Sequence, residues 1–194
     1  ARPAFRRMAA EFEQQSALLL GWVDSDFETQ DVIVRIVEHG HRSVPILILV
    51  NNQMEHLNAS IVLEQACIPT GAVRLIRAPI DSPWARDYGP TVVRSESATS
   101  LIIDAVYGTE RRPNDDRIPL TLAGTCSCRA ETTELRIEGG NLLTNGCGLG
   151  IATTRLIDHN TAAGYSVNEI SSTLREVYGL RETVFLEPLR GEDT

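Results

Sequence analysis

No apolar run in this sequence is long enough to cross a bilayer. The longest, Pro45 to Val50, falls far short of the roughly 20 residues a spanning helix needs. A membrane is therefore not an expected partner. Positive charge is also short: 18 Lys and Arg stand against 26 Asp and Glu, for a net charge of -8. Nucleic-acid binding calls for the opposite, a basic footprint, so no nucleic-acid partner is expected. An acidic surface suits a small cationic ligand. Metal-spaced cysteines are missing as well. Of the four, Cys67, Cys126, Cys128 and Cys147, the Cys126-Ser127-Cys128 pair is too close for zinc and no second pair complements it. His39, His41, His56 and His159 form no ligand cluster. The thiols are read as reduced and structural or incidental. No signal peptide is visible. The chain begins at Ala1 rather than Met, so a processed or trimmed start is expected. The expected compartment is cytoplasmic, with export after signal removal left open.

What is present fits a soluble globular chain. The 194 residues suffice for one domain, less easily two. Hydrophobic content of 42% and charged content of 23% are ordinary for such a chain. Strand and helix patterns alternate. Ala17 to Val23 predicts a buried strand, bounded by Gly21 and Asp24. Ser25 to Glu28 has capping-box spacing, and Val32, Ile33, Ile36 and Val37 then mark one helical face. Gly40 suits a left-handed helix stop. Val44 to Val50 predicts a second strand. Asn52 to Glu55 is another capping box, with Met54, Leu57, Ile61 and Val62 as the apolar stripe of a helix ending before Pro69. Val73 to Ile80 predicts a strand, and Thr91–Arg94 with Ser100–Val106 an antiparallel pair. Residues 108–134 read mostly as loop, with a short helix near Ile118–Leu122. Glu134–Leu143 and Gly148–Leu156 flank Asn145-Gly146, which predicts a hairpin with a type I′ turn. Ser166 to Glu169 is a third capping box, its helix closed by Gly179, and Thr183–Leu186 is the last strand. Such hairpins do not suit a doubly wound sheet; a repeated small unit of strands and one helix fits better.

Three segments carry chemistry: Trp84-Ala85-Arg86-Asp87-Tyr88-Gly89-Pro90, Ile137-Glu138-Gly139-Gly140-Asn141, and Gly191-Glu192-Asp193-Thr194. Their acids recur roughly every 50 residues, the spacing of a repeat architecture. Taken singly, Asp87 also reads as a turn residue and Glu138 as the end of a strand.

Together these residues resemble the agmatine deiminase and bacterial peptidylarginine deiminase family. Met8-Ala-Ala-Glu11-Phe12-Glu13 before an apolar strand is similar to its opening. Trp84-x-x-Asp87-x-Gly-Pro resembles its first active-site loop. Glu138-Gly-Gly-Asn141-Leu-Leu-Thr-Asn-Gly-x-Gly-Leu-Gly resembles its second. The likeness runs in register over nearly the whole chain. It implies the pentein fold, an α/β propeller of five strand-and-helix units around a pseudo-fivefold axis. About three units are expected here, roughly 16–80, 84–130 and 134–194, as one partial catalytic domain.

The implied reaction is hydrolysis of a guanidinium to a ureido group and ammonia. A guanidinium is planar, charged and presents N–H donors in a fixed fork, which carboxylates accept with charge-assisted bonds. The resemblance makes Asp87 one such carboxylate. It gives Glu138 the task of orienting and charging a proton-donating His. Trp84 is expected to line the pocket by stacking on the guanidinium or its methylenes. Arg86 is expected to pair structurally, since it would repel a cation. The family's His and second carboxylate follow in the third loop and its nucleophilic Cys in the last unit. No Cys of this chain sits at that position, so the chain is expected to be a fragment, inactive alone and prone to instability or homo-oligomerisation because its strand edges are unpaired. No metal or organic cofactor is implied, since protein side chains carry the chemistry.

The expected partner is a small-molecule or peptide guanidine. Arg111 and Arg112 fall where peptidylarginine relatives hold the substrate carboxylate, which agmatine lacks; as alternatives they form a solvated charged loop. This tilts the expectation toward an arginine carboxylate among peptidyl-arginine, arginine and agmatine. Two other classes stay open: a non-catalytic pentein module for guanidine binding or interaction, and an amidinotransferase.

Overall fold

The computed structural model describes residues 6–69, 71–95, 100–108 and 111–189. The third motif, Gly191 to Thr194, lies outside them, as does Glu110. Among the described residues, no helix is long and apolar enough to cross a membrane. The chain divides into two compact units. One gathers the described residues of 14–86 and 109–118; the other gathers those of 1–13, 87–108 and 119–194.

The first unit is a parallel three-stranded sheet with helical crossovers. In the chain numbering its strands are β2 (Leu18–Gly21), β3 (Ile46–Val50) and β4 (Val73–Arg77), in spatial order β2-β3-β4 and all parallel. Helices α1 (Phe27–Gly40) and α2 (Gln53–Gln65) join them. The central strand reads Ile-Leu-Ile-Leu-Val because a parallel strand covered on both faces needs no polar alternation. Trp22, Ile33, Val37, Ile48, Ala59 and Leu63 belong to its core.

Local signals in this unit hold in part. The α1 cap is Asp26, not Ser25: its carboxylate accepts from the Thr29 N–H at 3.0 Å and from the Thr29 hydroxyl at 2.6 Å. Gly40 is not a left-handed stop. It stays in the helix, and His41 caps it in the right-handed region. Asn52 caps α2 as expected, accepting from Met54 and Glu55, but Glu55 reaches back to Asn51 rather than Asn52. The predicted α1 stripe is wider than the buried one: Ile33 and Val37 are buried while Val32 is 54% exposed. The predicted α2 stripe is the wrong face: Met54, Leu57 and Ile61 are exposed and Val62 only half-buried, while Ala59 and Leu63 are the buried positions. A helix laid on a sheet buries one i, i+4 ridge and leaves the flanks in solvent.

The second unit holds two sheets. Strands β1 (Arg6–Met8), β5 (Thr91–Ser95), β6 (Ser100–Val106) and β7 (Arg129–Arg136) form the first, in the order β1-β5-β6-β7. The β5–β6 pair is antiparallel, as predicted, and β6–β7 is parallel. Strand β7 corrects the loop expected over 108–134. The helix inside that segment, α4, runs over Ile118–Thr125. The second sheet, β10-β9-β8, consists of β8 (Leu142–Thr144), β9 (Leu149–Thr153) and β10 (Glu182–Leu186). Helices α5 (Arg155–Ala162) and α6 (Val167–Glu176) connect β9 to β10. The predicted strand over 148–156 therefore ends early, in α5. The β8–β9 hairpin is real, yet its turn is not type I′: Gly146 has φ 72° while Asn145 stays at negative φ. The Asn145 side-chain oxygen instead accepts from the N–H groups of Cys147 and Leu149. The Ser166–Glu169 capping box on α6 forms in full.

Edge strand β1 is pinned by charge. Arg6 makes a bidentate pair with Glu131, both bonds at 2.8 Å. Arg7 donates to Glu13 at 2.6 and 2.8 Å, and the same carboxylate takes the Ala10 N–H at 2.8 Å. The Arg7 guanidinium pulls the Glu13 carboxyl down from its ordinary 4.5 to about 2. A folded-state pKa below the unfolded value stabilises above the unfolded pKa, and that stability is lost as pH falls through the folded one. Glu13→Gln is expected to lower Tm at pH 7, with the difference from wild type shrinking between pH 4.5 and about 2. Because the pair is at the surface, salt narrows the same gap. Parallel melts of the two proteins across pH check this; a gap as large at pH 2 as at pH 7 would exclude the ion pair as its source.

Candidate active site

The first motif begins where β4 ends. Past Arg77 the chain is held by Asn51, whose side-chain oxygen takes the Ile80 N–H at 2.7 Å. The turn at Asp81-Ser82-Pro83 leads into a single helical turn, α3 (Ala85–Tyr88). Trp84 stands at its start and is 51% exposed, so it does not fill a core. Asp87 is half-buried. Its neighbour Tyr88 is buried and meets Tyr107 edge-on, with ring centroids 6.0 Å apart at 73°, the geometry that aromatic quadrupoles prefer. That contact fixes the turn carrying Asp87 against the end of β6.

Tyr107 precedes Gly108, and Gly108 faces the second motif. A Cβ built on Gly108 would lie 3.3 Å from Glu138 Oε1, so glycine here lets a carboxylate settle against the main chain. Glu138 itself is half-buried, in extended backbone, just before a 3-10 turn at Gly139–Asn141. Two asparagines set its position. The fully buried Asn160 of α5 grips the Arg136 main chain from both sides, accepting its N–H at 2.8 Å and donating to its carbonyl at 2.9 Å. This happens where the β6–β7 register shifts between Ala105 and Val106. A bulge strands backbone groups, and the amide side chain supplies the missing partners. Beyond the acid, Asn141 accepts the Thr153 N–H at 2.8 Å and ties the loop to β9.

Glu138 lines a cleft with Gly108, Arg136, Asn141, Leu156 and His159. Sequence reasoning missed His159. It sits on α5, and only recognition of that helix, with Leu156 and His159 three apart on one face, would have placed it. None of the four cysteines lines the cleft; all are exposed and unpaired with one another. Among the described residues no group of three His, Cys, Asp or Glu side chains converges as a metal site would.

Trp84 and the two arginines belong to the other unit. Arg111 is exposed and Arg112 half-buried. They precede a 3-10 turn, Asp115–Arg117, whose Asp115 has no exposed surface. Burial pushes the Asp115 carboxyl above the usual Asp range, while bonds from Ser82 and Asp81 pull it back.

The chain is mixed α/β, with Asp87 on a single helical turn and Glu138 just before a 3-10 turn. Residues 7–194 match the Porphyromonas-type peptidyl-arginine deiminase family, and the chain belongs to that family. It is 25% identical over 167 residues to a Mycoplasma mycoides protein named as an agmatine deiminase, covering 81% of this chain and 44% of that one. A Mycoplasma capricolum protein of the same name is 27% identical over 124 residues, 59% of this chain and 34% of its own. Among solved structures, the agmatine deiminase of Enterococcus faecalis superposes with a TM-score of 0.79 at 18% identity, over 94% of this chain and 53% of its own. The C. jejuni agmatine deiminase gives 0.77 at 17%, over 96% and 57%. These likenesses establish a shared fold. The chain spans about half the length of these solved structures, and 44% or less of the two curated relatives.

Proposed function

We propose that this chain forms the guanidinium-recognising part of a deiminase built on the pentein propeller. Its three sheets stand for three strand-and-helix units, roughly 16–80, 84–130 and 134–194, with β1 joining the second sheet from outside these bounds and β7 running across its upper one. The observation that carries the reading is the placement of Glu138, a half-buried acid seated against Gly108 at the rim of a cleft and aimed by Asn160 and Asn141. In this reading Asp87 accepts the guanidinium fork, Trp84 covers it, and Glu138 holds a His as the imidazolium. A thiolate attacks the guanidinium carbon, the C–N bond to one nitrogen breaks, and the imidazolium proton leaves with it as ammonia. Water then releases the ureido product and restores the thiolate. The substrate is peptidyl-arginine, arginine or agmatine. With no cysteine in the Glu138 cleft, residues 1–194 bind and orient the guanidine without turning it over alone.

The test is release of ammonia and ureido product by the natural full-length protein, beside the 194-residue chain. Turnover by the former and binding without turnover by the latter is the expected pair of results. Binding without turnover by both would leave a non-catalytic guanidine-binding module; transfer to an added amine would make it an amidinotransferase.

The arginine segment predicts the substrate. A charge-assisted bond to a carboxylate contributes about 1.5–3 kcal/mol. Arg111→Ala is therefore expected to raise KM for an arginine-carboxylate substrate roughly tenfold or more, with KM for agmatine unchanged because agmatine has no carboxylate. Equal effects on both substrates would remove Arg111 from the clamp.

A further inference from the structure

Two carboxylates lock the turn before Trp84 to the segment after Arg112. The buried Asp115 accepts the Asp81 N–H at 2.7 Å and the Ser82 N–H at 3.3 Å on one oxygen. Its other oxygen takes the Ser82 hydroxyl at 2.7 Å. In return, the Asp81 carboxylate accepts the Asn114 N–H and the Asn114 side-chain amide, both at 2.7 Å. Five hydrogen bonds thus join residues 81–82 to residues 114–115, reciprocally. The clasp extends both ways. Asn51 holds Ile80 just upstream, and the Asp116 N–H reaches the Arg112 carbonyl at 3.4 Å.

Burying a carboxylate is costly unless it is hydrogen-bonded. Asp115 has three donors for its roughly four lone-pair positions, all of them from two adjacent residues. Ser82 has one residue, Pro83, between itself and Trp84. Asn114 has one residue, Pro113, between itself and Arg112. Prolines on both arms limit the backbone freedom between clasp and side chain, because each fixes its own φ and restricts the residue before it. A displacement of the clasp is therefore transmitted to Trp84 and to Arg112.

We propose that Asp115 is a positioning residue for substrate choice: it holds the Arg111–Arg112 segment and the Trp84 turn as one body, so that the group covering the guanidinium and the group meeting the substrate's other end keep a fixed separation. The inference rests on the deiminase reading for its substrate, and on the hydrogen bonds alone for the clasp. A ligand that bridges two anchors is sensitive to their spacing, since misplacement by about 1 Å can cost on the order of 100-fold. A ligand held at the guanidinium alone is much less sensitive.

Kinetics in the natural full-length protein test the proposal. Asp115→Ala is expected to raise KM for an arginine-carboxylate substrate roughly tenfold more than for agmatine, with kcat for agmatine within about threefold. Asp115→Asn, which keeps the acceptor for both main-chain N–H groups, should restore most of the discrimination. An unchanged KM ratio in Asp115→Ala, beside a lowered Tm, would reduce Asp115 to a structural residue and overturn the proposal. Should Asp115→Ala not fold, Ser82→Ala removes only the hydroxyl bond and must shift the ratio in the same direction. If the wild-type protein hydrolyses no guanidine, the deiminase reading fails separately. Amide exchange on the 194-residue chain then decides the clasp: loss of protection at 80–82 and 112–117 together in Asp115→Ala, or in Ser82→Ala where Asp115→Ala does not fold, supports it, and loss at only one segment or at neither overturns it.

Discussion

Asp87→Asn and Glu138→Gln, each in the natural full-length protein, are expected to lower kcat/KM for guanidine hydrolysis by about 10²–10³, with Tm nearly unchanged. Removing one preorganised electrostatic partner of a transition state typically costs 10²–10³ in rate, and each acid is proposed to meet charge directly. The two losses should differ in kind. In the proposed role Asp87 holds the guanidinium in both ground and transition states, so KM rises along with the fall in kcat. In the role proposed for Glu138 it acts on the proton donor, so its loss falls on kcat. A neighbouring carboxylate raises an imidazolium pKa. Glu138→Gln therefore moves the alkaline limb of the kcat profile to lower pH. Stability should survive because both side chains are half-buried, and because the groups that aim them, Tyr88 against Tyr107 and Asn160 on Arg136, stay intact. A Glu138→Gln enzyme with wild-type kcat and an unmoved pH profile would sink the role assigned to this acid. Steady-state kinetics across pH, with melts in parallel, is the measurement.

Gly179→Ala is expected to destabilise the chain by about 3 kcal/mol or more, with Gly164→Ala as its control. Gly179 closes α6 at φ 74°, and a Cβ there would overlap the main-chain carbonyl of Arg6. Main chain does not yield as a flexible side-chain tip does. The methyl group must drive β1 away, loosening the Met8 N–H bond to the Tyr178 carbonyl at 3.2 Å and the Arg6–Glu131 pair. Gly164 also has positive φ, at 101°, but nothing lies within 4 Å of an added Cβ. Its substitution carries backbone strain alone, of order 1–3 kcal/mol. The difference between the two isolates the cost of the close approach. In a chain of this size, 3 kcal/mol corresponds to roughly 6–12 °C of Tm. Denaturant unfolding of both variants measures it. Equal midpoints would mean that β1 does not pack on the α6 terminus as described.

Residues whose partners lie close in sequence were legible in advance. The Ser166–Glu169 box, the Gly179 stop and the β5–β6 pairing depend on side chains and backbone within a few positions, where propensity and turn chemistry act. The family was legible too, because the two acid motifs are unusual runs of residues whatever surrounds them. Strand β7 was not. Arg-Ala-Glu-Thr-Thr-Glu-Leu-Arg is polar, with Thr133 and Leu135 its buried positions. It becomes a strand by pairing in parallel with β6, at a sequence distance that no local signal spans. Helix faces failed for the same reason. Val32 and Met54 are as apolar as their buried neighbours, and only the position of β3 selects Ile33, Val37, Ala59 and Leu63 instead.

The groups proposed to carry the chemistry are therefore written in short contiguous motifs: one acid at Asp87, a second at Glu138, and glycines where the backbone must turn. The aim of those groups is not. Asn160 grips Arg136 from 24 residues away, Asp115 grips Ser82 from 33 away, and His159 enters the Glu138 cleft from a separate helix. Hydrogen bonds and packing reach only a few ångströms, so residues this far apart in sequence meet only after the sheets have set their backbones side by side. Composition and local pattern determine which groups are available; the tertiary structure determines which of them face each other.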